Sequence, residues 1–172
     1  MRKIRSKEVL SQEELAEIGS IAVQSTICEQ LVGEMLWHLA DMSESIGEHF
    51  TQAMSISTRL DLLRTLGAER LATGSPELAE FSGIVSDLKA LNALRNHAIH
   101  GSWGAWAALR DLIKLSVGQR VIPKALKFGK PGKPPTELLA SDLTGLPERI
   151  AEATSRLEDF ADRHWPRPEL IE

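Results

Sequence analysis

The chain has one cysteine, Cys28, among its 172 residues. A single thiol excludes an internal disulfide and any metal site built from several cysteines. No apolar run approaches the roughly 18 residues of a membrane span, so no membrane association is expected. The opening residues, Met1 to Glu8, are basic but lack the apolar stretch of a signal peptide. A reducing, cytoplasmic setting is the expectation that follows. No repeat at a period of 20–50 residues is present, which argues against a solenoid. Strands alternating with helices are also missing, which argues against a parallel sheet.

What is present is ordinary globular material. Hydrophobic residues make up 42% and charged residues 26%, enough apolar content for one real core and too much for a disordered chain. The net charge of −4 speaks against general coating of nucleic acid, but the average hides a segregation. Between 110 and 133 stand Arg110, Lys114, Arg120, Lys124, Lys127, Lys130 and Lys133 against one acid, Asp111. That segment is +6 on a remainder of −10, an asymmetry that points to a polyanionic partner.

Apolar periodicity predicts four main helices. Ser11 and Glu14 form the S-x-x-E pattern of a capping box. From there Leu15, Ile18, Ala22, Cys28, Leu31, Met35, Leu39 and Met42 recur at mostly three- and four-residue steps, a face about 45 Å long. A helix of that length favours a bundle or a dimer. Gly47 interrupts the pattern. A shorter helix is predicted from about Ser55 to Leu66, with Gly67 as its terminator. Ser75 and Pro76 open a third, with Phe81, Ile84, Val85, Leu88, Leu91, Leu94 and Ala98 inward and Gly101 placed to end it. Residues 102–135 carry scattered glycine and proline and read as a basic irregular loop or short hairpin. A fourth helix is predicted from about Ser141 to His164, its start bent or delayed by Pro147. The expected architecture is all-α: an up-and-down bundle of about four main helices in one domain, 11–164. Residues 1–10 and 165–172 read as tails, and 102–135 as a basic insertion.

The polar chemistry collects at the end of the third helix, in Leu91-Asn92-Ala93-Leu94-Arg95-Asn96-His97-Ala98-Ile99-His100-Gly101. Cations near a helix C-terminus are favoured by the macrodipole, by roughly 0.3–1 kcal/mol each, and Arg95, His97 and His100 fit that role without any function. His97 and His100 share a face, yet no acid or further ligand lies near them in sequence to complete a metal site, and no metal or other cofactor is expected. Asn96 and His100 lie one turn apart, whereas Arg95 is about 140° round the helix from His100. The simplest way for Arg95 and His100 to act on one ligand is across the interface of a two-fold dimer.

Arg95-Asn96-His97-Ala98-Ile99-His100 resembles the R-x4–6-H motif of the HEPN superfamily, whose members commonly carry a polar residue after the arginine and, in many cases, glycine after the histidine. Asn96 and Gly101 stand at those places. The layout is also similar: a long first helix, the motif at the end of the third helix, a basic irregular segment after it, and a closing helix. The resemblance implies a helical bundle, often dimeric. Many such proteins are metal-independent ribonucleases of toxin–antitoxin and other defence systems, and others are non-catalytic binding or scaffold modules.

Carried onto this chain, the resemblance makes Arg95 and His100 the catalytic pair and Asn96 the supporting polar residue. These types suit metal-free RNA cleavage. A histidine exchanges protons near neutrality, and an arginine keeps its charge and holds two phosphate oxygens. Lys114, Arg120, Lys124 and Lys127 are candidates for tracking an RNA backbone. Trp103, or Trp106, is a candidate for stacking on a base, although tryptophans at such places more often anchor a core. Expected partners are a second copy of the chain, RNA, and an antitoxin or other protein.

Overall fold

The structure, a computed structural model, describes residues 10–104, 124–127 and 136–166. The described residues are all-α apart from one small sheet. Its elements are α1 (Gln12–Leu39), α2 (Glu44–Gln52), α3 (Ile56–Arg70), α4 (Pro76–His100), β1 (Ser102–Gly104), β2 (Lys124–Lys127), β3 (Thr136–Leu139), a 3-10 turn (Ala140–Leu143) and α5 (Leu146–His164). Among the described residues, no helix is long and apolar enough to cross a membrane. The described residues group into two compact units, one drawn from 1–22 and 93–147, the other from 23–92 and 148–172.

The helix starts follow local chemistry. At α1 the Ser11 N–H donates to Glu14 Oε2 at 2.6 Å and the Glu14 N–H to Ser11 Oγ at 3.2 Å, the reciprocal box predicted from the sequence. Ser55 accepts from the Thr58 N–H at the head of α3, and Ser75 from the Leu78 N–H at the head of α4, where Pro76 takes the first helical position. Each cap satisfies a backbone donor that the first turn leaves without a helical partner.

The unit from 23–92 and 148–172 is a helical bundle. Leu60, Leu63, Phe81, Val85, Leu157 and Phe160 are fully buried in it. Trp165 stands edge-on to the rings of both Phe81 and Phe160, with centroids 5.2 and 5.3 Å away. Edge-to-face packing at this range favours the pairs by about 0.5–1.5 kcal/mol each beyond area burial. Gly67 lies beneath this cluster: a Cβ there meets the Phe81 ring. The glycine read as a stop therefore sits inside α3, which runs on to Arg70.

Gly47 departs from its reading in the same way. It is a buried residue of α2, a helix the periodicity did not predict, and the Trp37 indole occupies the space a Cβ would need. Trp37 Nε1 donates to Thr51 Oγ1 at 3.3 Å. Arg59 ties these helices together, donating to the carbonyls of Glu29 in α1 at 3.2 Å and of Thr51 in α2 at 2.9 Å. The second bond places a cation at the negative end of the α2 dipole.

The unit from 1–22 and 93–147 carries the sheet. Its order is β1-β2-β3, antiparallel throughout, with Trp103 opposite Ala125 and Ala125 opposite Leu138. Residues 105–123 and 128–135, most of the segment read as a basic loop or hairpin, lie outside the described residues. Ala125, Leu126, Leu138, Ala140, Leu143 and Leu146 are buried, so the sheet contributes to this unit's core. Pro147 is the second residue of α5, after the 3-10 turn, and the regular helix starts later than Ser141 as its proline predicts.

Candidate functional site

The end of α4 is built to stop and to be held. An α-helix leaves its last four carbonyls without helical donors, and here two of them find other donors. The His97 carbonyl accepts from the Gly101 N–H at 2.9 Å, and the Ala98 carbonyl from the Trp103 indole Nε1 at 2.7 Å. Trp103 is 9% exposed. It acts as a core anchor that caps the helix, so its ring offers no open face to a base.

His97 is buried, and its Nε2 donates to the Ala125 carbonyl in β2 at 3.0 Å. Because a carbonyl only accepts, this bond assigns the proton to Nε2. The residue read as one of several last-turn cations is therefore a pin between helix and sheet. Gly101 lets the two approach. A Cβ at Gly101 lies 2.7 Å from Ala125 Cβ and also meets the His97 carbonyl oxygen, so only glycine fits beside a residue as small as alanine.

Against this fixed helix end, the motif residues are arranged as follows. Arg95 and Asn96 are half-buried, and Arg95 Nη1 donates to Asn96 Oδ1 at 2.9 Å. Asn96 thus orients the guanidinium of its neighbour and keeps its own amide N–H groups for other acceptors; its described hydrogen bond is to Arg95 and not to His100. His100, the last residue of α4, is exposed. The helix is continuous through both positions, so the offset of about 140° between Arg95 and His100 holds within one chain. An Arg–Asn pair and a solvent-facing imidazole can hold a phosphate and exchange a proton, provided that a second copy or a flexible substrate closes the angle.

The other candidates divide. Lys124 and Lys127 occupy the two ends of β2, on either side of the pair Ala125-Leu126. Lys114, Arg120 and Trp106 lie outside the described residues. Among the described residues, no group of three or more His, Cys, Asp or Glu side chains is placed to hold a metal ion. A surface groove of ≈ 260 Å³ between α4 and α5 in the bundle unit is the alternative place for a ligand. Its charged lining is balanced, however: Arg156 pairs with Asp87 at 2.9 Å, and Arg149 and Glu152 make up the rest. It has no excess of positive charge to offer a polyanion.

Sequence reasoning missed the structural role of His97 and the tight approach at Gly101. Both depend on Ala125, 28 residues beyond His97, and no local pattern marks that contact. In comparisons with known proteins, no family model, no curated protein and no solved structure matches this chain.

Proposed function

We propose that this chain is a HEPN-like endoribonuclease that cleaves RNA without a metal ion and works as a homodimer, with Arg95, Asn96 and His100 as its reacting set. The observation that carries the reading is the bond from His97 to Ala125. It ties β2, with Lys124 and Lys127 at its ends, to the end of the helix that bears the motif. A strand from the most basic part of an otherwise acidic chain is thereby tied to the helix end that carries Arg95, Asn96 and His100 in its sequence.

In this reading Arg95, oriented by Asn96, holds the non-bridging oxygens of a phosphodiester. His100 accepts the proton of the neighbouring 2′-hydroxyl as that oxygen attacks phosphorus. The P–O5′ bond breaks and the leaving oxygen takes a proton from water, giving a 2′,3′-cyclic phosphate and a 5′-hydroxyl. The substrate supplies its own nucleophile, so an acid–base group and a fixed positive charge are sufficient. The lysines of the 110–133 segment contribute a sequence-independent attraction to the backbone that weakens with salt.

The test is cleavage of mixed RNA in the presence of a chelator. Wild-type protein is expected to yield cyclic-phosphate ends, and His100→Ala to lose roughly 10²–10⁴ in rate. Equal, background-level cleavage by both removes the enzyme. It leaves the rival reading, a non-catalytic HEPN-like dimeric module that binds a partner or serves as a scaffold.

A further inference from the structure

In the bundle unit a ladder of ion pairs joins α4 to α5. Arg163 meets Glu80 at 2.6 Å and Arg156 meets Asp87 at 2.9 Å. The two rungs are seven residues apart on each helix and run in opposite directions, as antiparallel helices require. One step of seven further along α5 stands a third arginine, Arg149, whereas the same step from Asp87 along α4 reaches Leu94 and no acid. Among the described residues the Arg149 side chain is in no ion pair or hydrogen bond, and neither is that of Glu152, one turn on. Residues three apart on a helix are neighbours, yet this opposite-charge pair stays open. Arg149 also stands in the first turn of α5, where the helix dipole disfavours a cation. Nothing in the helix accounts for its place.

Arg149 and Glu152 both line the groove of ≈ 260 Å³ between the two helices, whose whole lining belongs to the bundle unit. Leu91 and Ala153 give it a buried apolar part. Ala90 on one helix and Ala153 on the other leave the space open, because each puts only a methyl group toward its neighbours. The remaining charges, Asp87 and Arg156, are already spent on each other. One cation and one anion are left over, beside apolar surface. The volume lies just below the roughly 300–1,000 Å³ of sites that take drug-sized ligands, so the groove suits a smaller molecule.

These leftover charges select the occupant. An anion drawn to Arg149 would stand one turn from the Glu152 carboxylate, and a cation drawn to Glu152 would stand as close to Arg149; each meets repulsion with its attraction. A ligand that satisfies both carries a carboxylate and an ammonium close together and no net charge. We propose that this groove binds a free α-amino acid with an aliphatic side chain. Its carboxylate takes the Arg149 guanidinium, which can hold both oxygens, and its ammonium takes Glu152. The two charges of an α-amino acid hang from one carbon, which suits partners one helical turn apart. The aliphatic side chain covers Leu91 and Ala153, removing apolar surface from water.

The site uses neither the chemistry nor the dimer of the nuclease reading, and its test contains no RNA, so the two stand or fall separately. The full chain, labelled with a nitrogen isotope, is titrated with L-leucine while its amide correlation spectrum is recorded. Saturable shifts are expected around residues 87–91 and 149–156, with a millimolar dissociation constant. Leucinamide lacks the carboxylate and N-acetyl-leucine the ammonium, and each is expected to bind at least about tenfold more weakly. Arg149→Gln, a change at an exposed position, is expected to weaken L-leucine about tenfold and to leave leucinamide within about twofold, a pattern that loss of fold would not give. Ala90→Leu, also at an exposed position, fills the groove and is expected to abolish the shifts while the far-UV circular dichroism is unchanged. Absence of saturable shifts with L-leucine overturns the proposal. So does equal binding of the three compounds, or binding undiminished in Ala90→Leu.

Discussion

The same small change, glycine to alanine, is expected to act in opposite directions at two places in α4 and its cap. At Gly101 the new methyl group is set 2.7 Å from Ala125 Cβ and against the His97 carbonyl, neither of which is the yielding end of a long side chain. Among the described residues the glycines in the left-handed region are Gly74 and Gly145 and not Gly101, so the cost arises from contact and not from backbone preference. Overpacking of this kind costs roughly 1–3 kcal/mol. For a chain of 172 residues, 1 kcal/mol corresponds to about 2–4 °C in Tm, so Gly101→Ala is expected to lower Tm by roughly 2–12 °C. At Gly83, mid-helix, a Cβ would meet nothing within 4 Å. Gly83→Ala therefore gains the helix preference of alanine, about 0.5–1 kcal/mol, and is expected to raise Tm by roughly 1–4 °C. Thermal unfolding followed by circular dichroism measures both. If Gly101→Ala proved neutral or stabilising, the helix end and β2 would not be in the contact described, and the argument that the sheet fixes the motif would fail with it.

Two further outcomes follow from the titratable groups. Burial pushes the Cys28 thiol up from its ordinary pKa, against the opposing effect of its hydrogen bond with Thr154, so a thiol reagent at neutral pH is expected to modify Cys28 far faster in denaturant than in the native protein; equal rates would place it at the surface. The Lys89 ammonium, hydrogen-bonded to Asp61, holds the Asp61 carboxyl below the usual range, and backbone and Ser75 hydrogen bonds do the same for Glu77. A carboxyl depressed by folding contributes stability above its unfolded value and loses it as pH falls through the folded one. Denaturant titrations are thus expected to show stability dropping below about pH 4, with a shallower drop in Asp61→Asn; an identical acid limb in that variant would count against the ion pair.

How much of this was legible in the sequence depended on whether the cause was local. The capping box at Ser11, the Ser75-Pro76 start and the Gly101 stop all act within a few residues of themselves, and each stands where it was predicted. Gly47 and Gly67 were read as interruptions because a glycine without context ends helices. Each instead admits an aromatic ring from another part of the chain, Trp37 in one case and Phe81 in the other. The same limit applied at the candidate site. That Arg95, Asn96 and His100 crowd one helix end is plain from their spacing. That His97 is a pin, and Trp103 a cap on the Ala98 carbonyl, follows from the β1–β2 pairing, which joins residues 20 to 24 apart. Binary patterning had no purchase on strands of three and four residues.

The central claim, a catalytic pair completed across a dimer, is tested most directly by mixing two inactive proteins. Arg95→Ala and His100→Ala each remove one partner from every site. In an equal mixture half of the dimers pair one variant with the other, and one of their two sites regains both residues, so cleavage of RNA in chelator is expected to return to about a quarter of the wild-type rate. A mixture as inert as its two components, beside a wild-type protein that cleaves, would contradict the shared site.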